Sequence, residues 1–177
     1  NMATLAFKKA DDAILLIGHK EEMEGWLGQS LYLREICNRE DGAPPPVDLA
    51  YEKSVGDFIR NLILAGRISA CHDLSDGGLL IALTEMALAG NIGCTLFEIQ
   101  GYQHSFLFGE DQGRYVVTAK ENDVNSLHKE ATQLGIPIQK VGSTGGNSVT
   151  IGTKKVELTT LRSLNENWFP SYMTGKD

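Results

Sequence analysis

Apolar and polar positions alternate along the chain in blocks that predict strands and helices in turn. Residues 13–17 form a continuous apolar run, which predicts a buried strand. Apolar residues then recur at helical spacing over residues 55–63, after Asp48 as the predicted N-cap and before Gly66 as the predicted stop. Residues 38–46 are polar and end in three prolines, so we expect a surface loop there.

A second predicted helix, at residues 76–89, is apolar on nearly all sides and follows a short predicted strand at residues 68–71. A helix without a polar face is expected in the core, packed on more than one side. Further predicted strands cover residues 93–99, 114–119 and 136–141, and further predicted helices cover residues 122–134 and 161–168.

The end of the chain combines hairpin and helix signals. Residues 142–147 are rich in glycine, and we expect them to form a hairpin turn that leads into a strand at residues 148–151. Thr159 or Thr160 is the expected cap of the final helix. This order favours an α/β (α+β) fold, in which a mixed or antiparallel sheet is covered by helices on one face. At 177 residues the chain fits a single domain over residues 1–177.

Charge and cysteine content limit the partners that are expected. The net charge of −7 argues against broad nucleic-acid binding, which needs a basic surface. The sequence contains no apolar run of membrane-spanning length, so no membrane association is expected. The three cysteines are scattered and odd in number, which predicts reduced thiols in the cytoplasm rather than a disulfide framework.

The candidate chemistry lies at the HDLSDGG motif of residues 72–78, where a predicted strand meets the apolar helix. Asp73 and Asp76 offer carboxylate oxygens, the ligands that Mg²⁺ prefers, and Ser75 adds a hydroxyl. Gly77 and Gly78 lack a Cβ, so a ligand or another backbone can approach closely. A helix N-terminus at this corner suits a phosphate or a metal–nucleotide complex. The alternative is that Ser75 or Asp76 only caps the helix.

Two further features carry polar groups with more than one interpretation. His72, beside Asp73, is either a proton shuttle or a hydrogen-bonded residue at a strand end. In the FGEDQGR motif of residues 108–114, Glu110, Asp111 and Arg114 either face a ligand or form a loop with a salt bridge.

Four segments together resemble a known family: LGQSLYL at residues 27–33, PPPVDL at residues 44–49, HDLSDGG at residues 72–78 and LFGEDQGR at residues 107–114. The HDLSDGG corner and its helix resemble the C-terminal domain of the aminoimidazole ribonucleotide synthetase-like superfamily. The order and spacing of all four segments resemble more closely the phosphoribosylformylglycinamidine synthase family within it.

The resemblance implies that the chain is a C-terminal B-type domain, a fragment of a longer multi-domain ligase. Members convert formylglycinamide ribonucleotide to formylglycinamidine ribonucleotide in de novo purine biosynthesis, using ATP and ammonia released from glutamine. The implied partners are sister domains of the same chain, a glutaminase subunit or domain that supplies the ammonia, and a small accessory subunit. Because the catalytic groups of the family lie in other domains, the isolated chain is expected to be inactive.

Carried over by motif position, the resemblance implies a Mg²⁺ ligand at Asp73 and a weaker one at Asp76. It implies a contact with ATP or ADP at Ser75, beside Gly77 and Gly78. It leaves open whether this nucleotide site is occupied or decayed. No role is carried over to the GQS loop, because many relatives have a Gly-Gly-Ser sequence there.

Two other interpretations remain open at this point. The chain could be the C-terminal domain of a thiamine-phosphate kinase-like or hydrogenase-maturation-like protein, with different chemistry on the same fold. Alternatively, it could be a non-catalytic module that packs against sister domains. The apolar helix and the expected loss of neighbouring domains predict at least one exposed apolar patch.

Overall fold

A computed structural model describes residues 1–18, 25–98 and 103–175. Its strands are β1 (Asp12–Ile17), β2 (Ala70–Asp73), β3 (Cys94–Leu96), β4 (Tyr115–Lys120), β5 (Ile138–Thr144), β6 (Ser148–Ile151) and β7 (Lys154–Glu157). Its α-helices are α1 (Leu49–Ala65), α2 (Gly78–Gly90), α3 (Gln103–Phe108), α4 (Val124–Gln133) and α5 (Leu158–Thr174). A short π-helical turn covers Tyr32–Ile36, and a 3₁₀ turn covers Glu121–Asp123.

The strands form one mixed sheet in the order β2-β4-β1-β5-β3-β6-β7. Strands β3 and β6 are parallel, and the other described pairs of neighbours are antiparallel. The predicted fold class, a mixed sheet covered by helices, is therefore confirmed.

Helices cover both faces of the sheet, so the prediction of a single covered face is wrong. Strand β1 is buried along its whole length. Its side chains alternate between two hydrophobic clusters: Ile14 and Leu16 join the cluster that contains α2, and Leu15 and Ile17 join the one that contains α1. A strand that reads as a continuous apolar run is typical of a sheet covered on both faces.

The predicted hairpin across residues 142–147 is also wrong, because β3 lies between β5 and β6. Cys94 of β3 pairs with Thr144 on one side and with Val149 on the other. The loop after β5 instead passes around the start of β3, where the N–H of Gly93 donates to the carbonyl of residue 146 at 2.8 Å. The hairpin that does form joins β6 to β7, one connection later.

Helix ends show where local signals succeed and fail. Asp48 caps α1 by accepting from the N–H of Tyr51 at 3.0 Å, and Gly66 ends it with φ +68°, as predicted. Helix α5 begins at Leu158 without a side-chain cap, so the threonine caps predicted for it are wrong. The last residue of the predicted strand at 93–99 lies outside the described residues.

An exposed apolar patch is present, as predicted, and it lies on α5. The aromatic face of α5 comprises Leu164, Trp168, Phe169, Tyr172 and Met173, each at least 59% exposed. The rings of Trp168 and Tyr172 stack with centroids 5.5 Å apart. Within the described residues, the helices are too short or too polar to cross a membrane.

Candidate functional site

The HDLSDGG corner turns the chain from β2 into α2 with its polar side chains outward. Leu74 is buried, and its N–H donates to the carbonyl of Arg114 at 2.9 Å, which fixes the corner to the sheet. Asp73, Ser75 and Asp76 are exposed. The motif therefore anchors itself through one apolar residue and presents two carboxylates and a hydroxyl to solvent.

The capping interpretation of Ser75 and Asp76 is wrong. Helix α2 has no side-chain cap from its own N-terminal residues, since its N-cap is Gly77. The N–H of Gly77 instead donates to the Glu110 carboxylate at 2.8 Å. Within the described residues, the Ser75 hydroxyl and the Asp76 carboxylate have no hydrogen-bond partner. The helix end is instead satisfied by Glu110 at Gly77 and by the Ser75 carbonyl at Gly78, so neither side chain is used in capping.

The glycine pair is required by the fold itself. Gly77 has φ +78° and Gly78 has φ +66°, both in the left-handed region that favours glycine. A Cβ on Gly78 would lie 2.6 Å from the carbonyl oxygen of Gly109, and one on Gly77 would lie 2.4 Å from Cγ1 of Ile81. Close packing thus explains why both positions lack a side chain, whatever they contact in a complex.

Residues 108–114, which we call the FGEDQGR hub, contain a buried ion pair. Nε of Arg114 lies 3.0 Å from Oδ2 of Asp111, and the two side chains are 0% and 4% exposed. Arg114 also donates to the carbonyl of Gly109 at 2.5 Å, and Asp111 accepts from the N–H of Trp26 at 3.1 Å. Burial lowers the pKa of Arg114, against the opposing effect of the Asp111 charge. The salt-bridge interpretation of these two residues is confirmed.

Glu110, which directly precedes Asp111 in the motif, connects three of the four recognised segments. Its Oε1 accepts from the N–H of Leu31 and from that of Gly77, each at 2.8 Å. Its own N–H donates to the carbonyl of Trp26 at 2.9 Å. The sequence identified Glu110 as a candidate ligand contact or as part of a salt-bridged loop, since no local signal marks a helix cap that lies 33 residues away.

His72 lies in a hydrogen-bonded position at the end of β2. Its Nε2 is 2.7 Å from Oε2 of Glu85, and its Nδ1 is 3.4 Å from Oδ1 of Asp73. The ring is only 16% exposed, whereas Asp73 is 67% exposed. This confirms the interpretation of His72 as a hydrogen-bonded residue at a strand end.

The corner fits a metal–phosphate complex better than a metal held by protein alone. In residues 1–18, 25–98 and 103–175, no group of three or more His, Cys, Asp or Glu side chains is arranged to hold a metal ion. Mg²⁺, however, commonly takes one or two carboxylates and completes its shell with phosphate oxygens and water. Asp73 and Asp76 match that donor set, and Ser75 adds a polar group beside them.

An open cavity of about 180 Å³ lies beside the hub, near the start of α1. Asp48, Tyr51, Asp111 and Gln112 contribute to its lining. The Tyr51 hydroxyl donates to the carbonyl of Gly18 at 2.9 Å, and burial raises its pKa. The corner residues do not line this cavity, so the two features are separate.

Comparison with known proteins supports the resemblance. Residues 9–154 match the family model described as AIR synthase related protein, C-terminal domain. The chain is 54% identical, over 99% of its length, to phosphoribosylformylglycinamidine synthase subunit PurL of Rhodopseudomonas palustris strain TIE-1. It spans only 24% of that relative, about a quarter of the length of the curated proteins that it matches.

Solved structures share the fold at low sequence identity. Thermotoga maritima PurL complexed with ATP has a TM-score of 0.67 and 17% identity, over 90% of this chain and 27% of that one. Its complex with FGAR has a TM-score of 0.71. Thiamine-monophosphate kinase from Stenotrophomonas maltophilia K279a has a TM-score of 0.57 and 21% identity, over 87% of this chain and 54% of that one. Because the family model covers residues 9–154, the chain belongs to the family of the AIR synthase related protein, C-terminal domain.

Proposed function

We propose that the chain serves as the C-terminal domain of a phosphoribosylformylglycinamidine synthase. In that reaction formylglycinamide ribonucleotide, ATP and ammonia yield formylglycinamidine ribonucleotide, ADP and phosphate. The observation that carries the proposal is the 54% identity to a PurL subunit over 99% of this chain. The enzyme class is an ATP-dependent carbon–nitrogen ligase, and the isolated chain is proposed to be inactive because it spans 24% of that relative.

Within that ligase, the HDLSDGG corner is proposed to bind a Mg–nucleotide complex. Asp73 and Asp76 would hold Mg²⁺, which neutralises phosphate charge when bound. Ser75 would contact the nucleotide, and the tight turn at Gly77 and Gly78 would let it approach the backbone. The proposal is supported by the outward carboxylates and by the absence, within the described residues, of hydrogen bonds to the Ser75 hydroxyl and the Asp76 carboxylate.

A binding experiment tests these roles. Calorimetric titration with Mg–ADP is expected to show binding that Asp73→Ala weakens at least about tenfold, since one metal ligand is lost. Asp123→Ala is the matched control, because that carboxylate makes no cap bond at the start of α4. Equal affinity in both variants would remove Asp73 from the site. An absence of binding by the unmodified chain up to millimolar ligand would indicate a corner that is structural here.

The proposed partners are sister domains of the same chain, a glutaminase that supplies ammonia and a small accessory subunit. The aromatic face of α5 and the missing three quarters of the relatives' length support the sister domains. These relatives are named as a subunit of a synthase, which supports an assembly. A cytoplasmic location agrees with the three free cysteines. Burial raises the pKa of Cys71 to about 11 and that of Cys94 to about 12, so both thiols stay protonated.

A chimera tests the activity directly. The matching segment of Rhodopseudomonas palustris PurL is replaced by this chain, and ammonia-dependent formation of ADP and formylglycinamidine ribonucleotide is measured. We expect kcat within about tenfold of the parent enzyme, since the segment is 54% identical. The control chimera carries the corresponding domain of Stenotrophomonas maltophilia thiamine-monophosphate kinase, which shares the fold alone and is expected to be inactive. If both chimeras are inactive while folded, the proposed function is wrong for this chain.

A further inference from the structure

Glu110 is the point at which three separate stretches of chain meet. One carboxylate oxygen accepts two backbone N–H groups, from Leu31 and Gly77, which are 79 and 33 residues away along the chain. The Glu110 N–H adds a third bond, to the carbonyl of Trp26. A single side chain therefore sets the distance between the loop at residues 26–31 and the HDLSDGG corner.

This arrangement determines what the corner can offer a ligand. The first N–H groups of a helix need acceptors, and a serine or aspartate in the preceding turn commonly supplies one. Here Glu110 supplies the acceptor, with a negative charge at the positive end of the helix dipole. The Ser75 carbonyl accepts from the N–H of Gly78 at 3.0 Å, while the Ser75 hydroxyl and the Asp76 carboxylate make no cap bond and remain outward. The helix end thus uses a distant carboxylate and a local carbonyl, and neither local side chain.

The carboxylate is itself held in place by the hub. The buried Asp111–Arg114 pair and the Arg114 bond to Gly109 fix the backbone on both sides of Glu110. The Gly109 carbonyl packs against Gly78, where a Cβ would approach to 2.6 Å. The hub therefore fixes the position of Glu110. The hydrogen bond from the N–H of Gly77 to Glu110 in turn constrains the position of the HDLSDGG corner.

We propose that Glu110 is a positioning residue: its bridge between Leu31 and Gly77 holds Ser75 and Asp76 in the geometry that accepts a Mg–nucleotide. This inference rests on the proposed function, since it assigns the ligand by the same chemistry. Glu110 acts through the backbone and touches neither metal nor nucleotide. The expected signature is a change in nucleotide affinity that depends on the reach of the acceptor and not on its charge.

Three variants separate reach from charge in the active chimera, assayed with ammonia. Glu110→Gln keeps an oxygen acceptor at the same reach, so KM for Mg–ATP is expected to stay within about threefold. Glu110→Asp keeps the charge but is one methylene shorter, and Glu110→Ala lacks both. These two are expected to raise KM about tenfold or more, with kcat within about threefold. Glu130→Ala, which removes the carboxylate paired with Arg67, is the matched control and is expected to leave KM unchanged.

Amide hydrogen exchange in the 177-residue chain gives a readout that is independent of catalysis. We expect Glu110→Ala to accelerate exchange at Leu31 and Gly77 together by about tenfold or more, and Glu110→Gln to preserve both rates. Unchanged exchange in Glu110→Ala would overturn the bridge. A Glu110→Gln variant as impaired in KM as Glu110→Ala would overturn the reach argument in favour of charge. If the chimera is inactive, the proposed function fails, and Mg–ADP affinity of the same variants decides the role of Glu110.

Discussion

The FGEDQGR hub and the aromatic face of α5 depart from the usual distribution of residues in opposite directions. In the hub a full ion pair is buried, with Arg114 and Asp111 at 0% and 4% exposure. On α5, Trp168, Phe169 and Tyr172 are each about 60% exposed. Charged groups are normally outside a protein and large aromatic groups inside.

The difference lies in whether each region is completed by this chain. In the buried pair each charge faces the opposite charge within the chain, and the carbonyl of Gly109 and the N–H of Trp26 add hydrogen bonds to it. The aromatic rings of α5 contact one another and leave most of their area to solvent. The hub is thus expected to determine the stability of this chain, whereas the aromatic face is expected to affect association.

The largest expected effect follows from breaking the buried pair. Arg114→Met leaves the Asp111 carboxylate buried without its cation, which should lower the free energy of unfolding by about 3–5 kcal/mol. Urea denaturation monitored by circular dichroism measures the change. The double variant Asp111→Leu, Arg114→Met should recover part of the loss and remain about 1–3 kcal/mol below the original, since the N–H of Trp26 then lacks its acceptor. If the free energy of unfolding of Arg114→Met were within about 1 kcal/mol of that of the original chain, the assigned importance of the buried pair would be wrong.

The contact between the hub and α2 should give the next largest effect. Gly78→Ala combines φ +66° with a Cβ that would lie 2.6 Å from the Gly109 oxygen, so we expect a loss of about 2–4 kcal/mol. Gly152→Ala is the matched control, because φ is +56° there and nothing lies within 4 Å. That control should cost only the backbone term of about 1–2 kcal/mol. Equal losses at both positions would show that the close packing at Gly78 relaxes.

Changing the aromatic face should have little effect on stability. The triple variant Trp168→Ser, Phe169→Ser, Tyr172→Ser replaces residues whose helix propensity is close to that of serine. The free energy of unfolding should fall by less than about 1 kcal/mol, the scale of the lost ring stacking. Sedimentation velocity should show less self-association than in the original chain. A large loss of stability, comparable to that of Leu83→Ala in the core, would mean that the face is already covered within this chain.

The smallest effect on the free energy of unfolding is expected at the exposed ion pair of Lys53 and Asp57. A hydrogen bond from Lys53 lowers the pKa of Asp57 below its ordinary value of 3.8. The pair therefore adds stability above that value, and the contribution disappears as pH falls through the lower pKa of the folded state. Asp57→Asn should be slightly less stable than the original chain at pH 7 in urea titrations, and the difference should shrink as the pH falls below 3.8. If the difference in stability between Asp57→Asn and the original chain grew as the pH falls, the assigned direction of the Asp57 pKa shift would be wrong.

Local patterns in the sequence predict those parts of the fold that local physics determines. The Asp48 cap, the stop at Gly66 and the buried strand β1 follow from cap chemistry and apolar runs. The continuous apolar run of β1 also indicates a sheet that is covered on both faces. The prediction of one covered face did not take this indication into account. By contrast, the insertion of β3 between β5 and β6 depends on pairing between distant segments, and no local pattern specifies it.

The candidate site shows the same division. The exposed chemistry of Asp73, Ser75 and Asp76 was visible because a polar cluster interrupts apolar elements. The Asp111–Arg114 pair was also visible as opposite charges three positions apart. The bridge by Glu110 was not visible, since it requires knowledge of which backbone N–H groups the tertiary structure leaves without acceptors.

The long-range cap also sets an order of assembly during synthesis. Glu110 leaves the ribosome 33 residues after Gly77, a delay of about 2–7 s at typical elongation rates. During that interval α2 can form from its own apolar residues, but its first turn lacks the acceptor that later fixes it. The HDLSDGG corner can therefore take its final structure only after the FGEDQGR hub has been synthesised. A nascent chain arrested before residue 110 would carry the HDLSDGG motif without the structure that gives it shape.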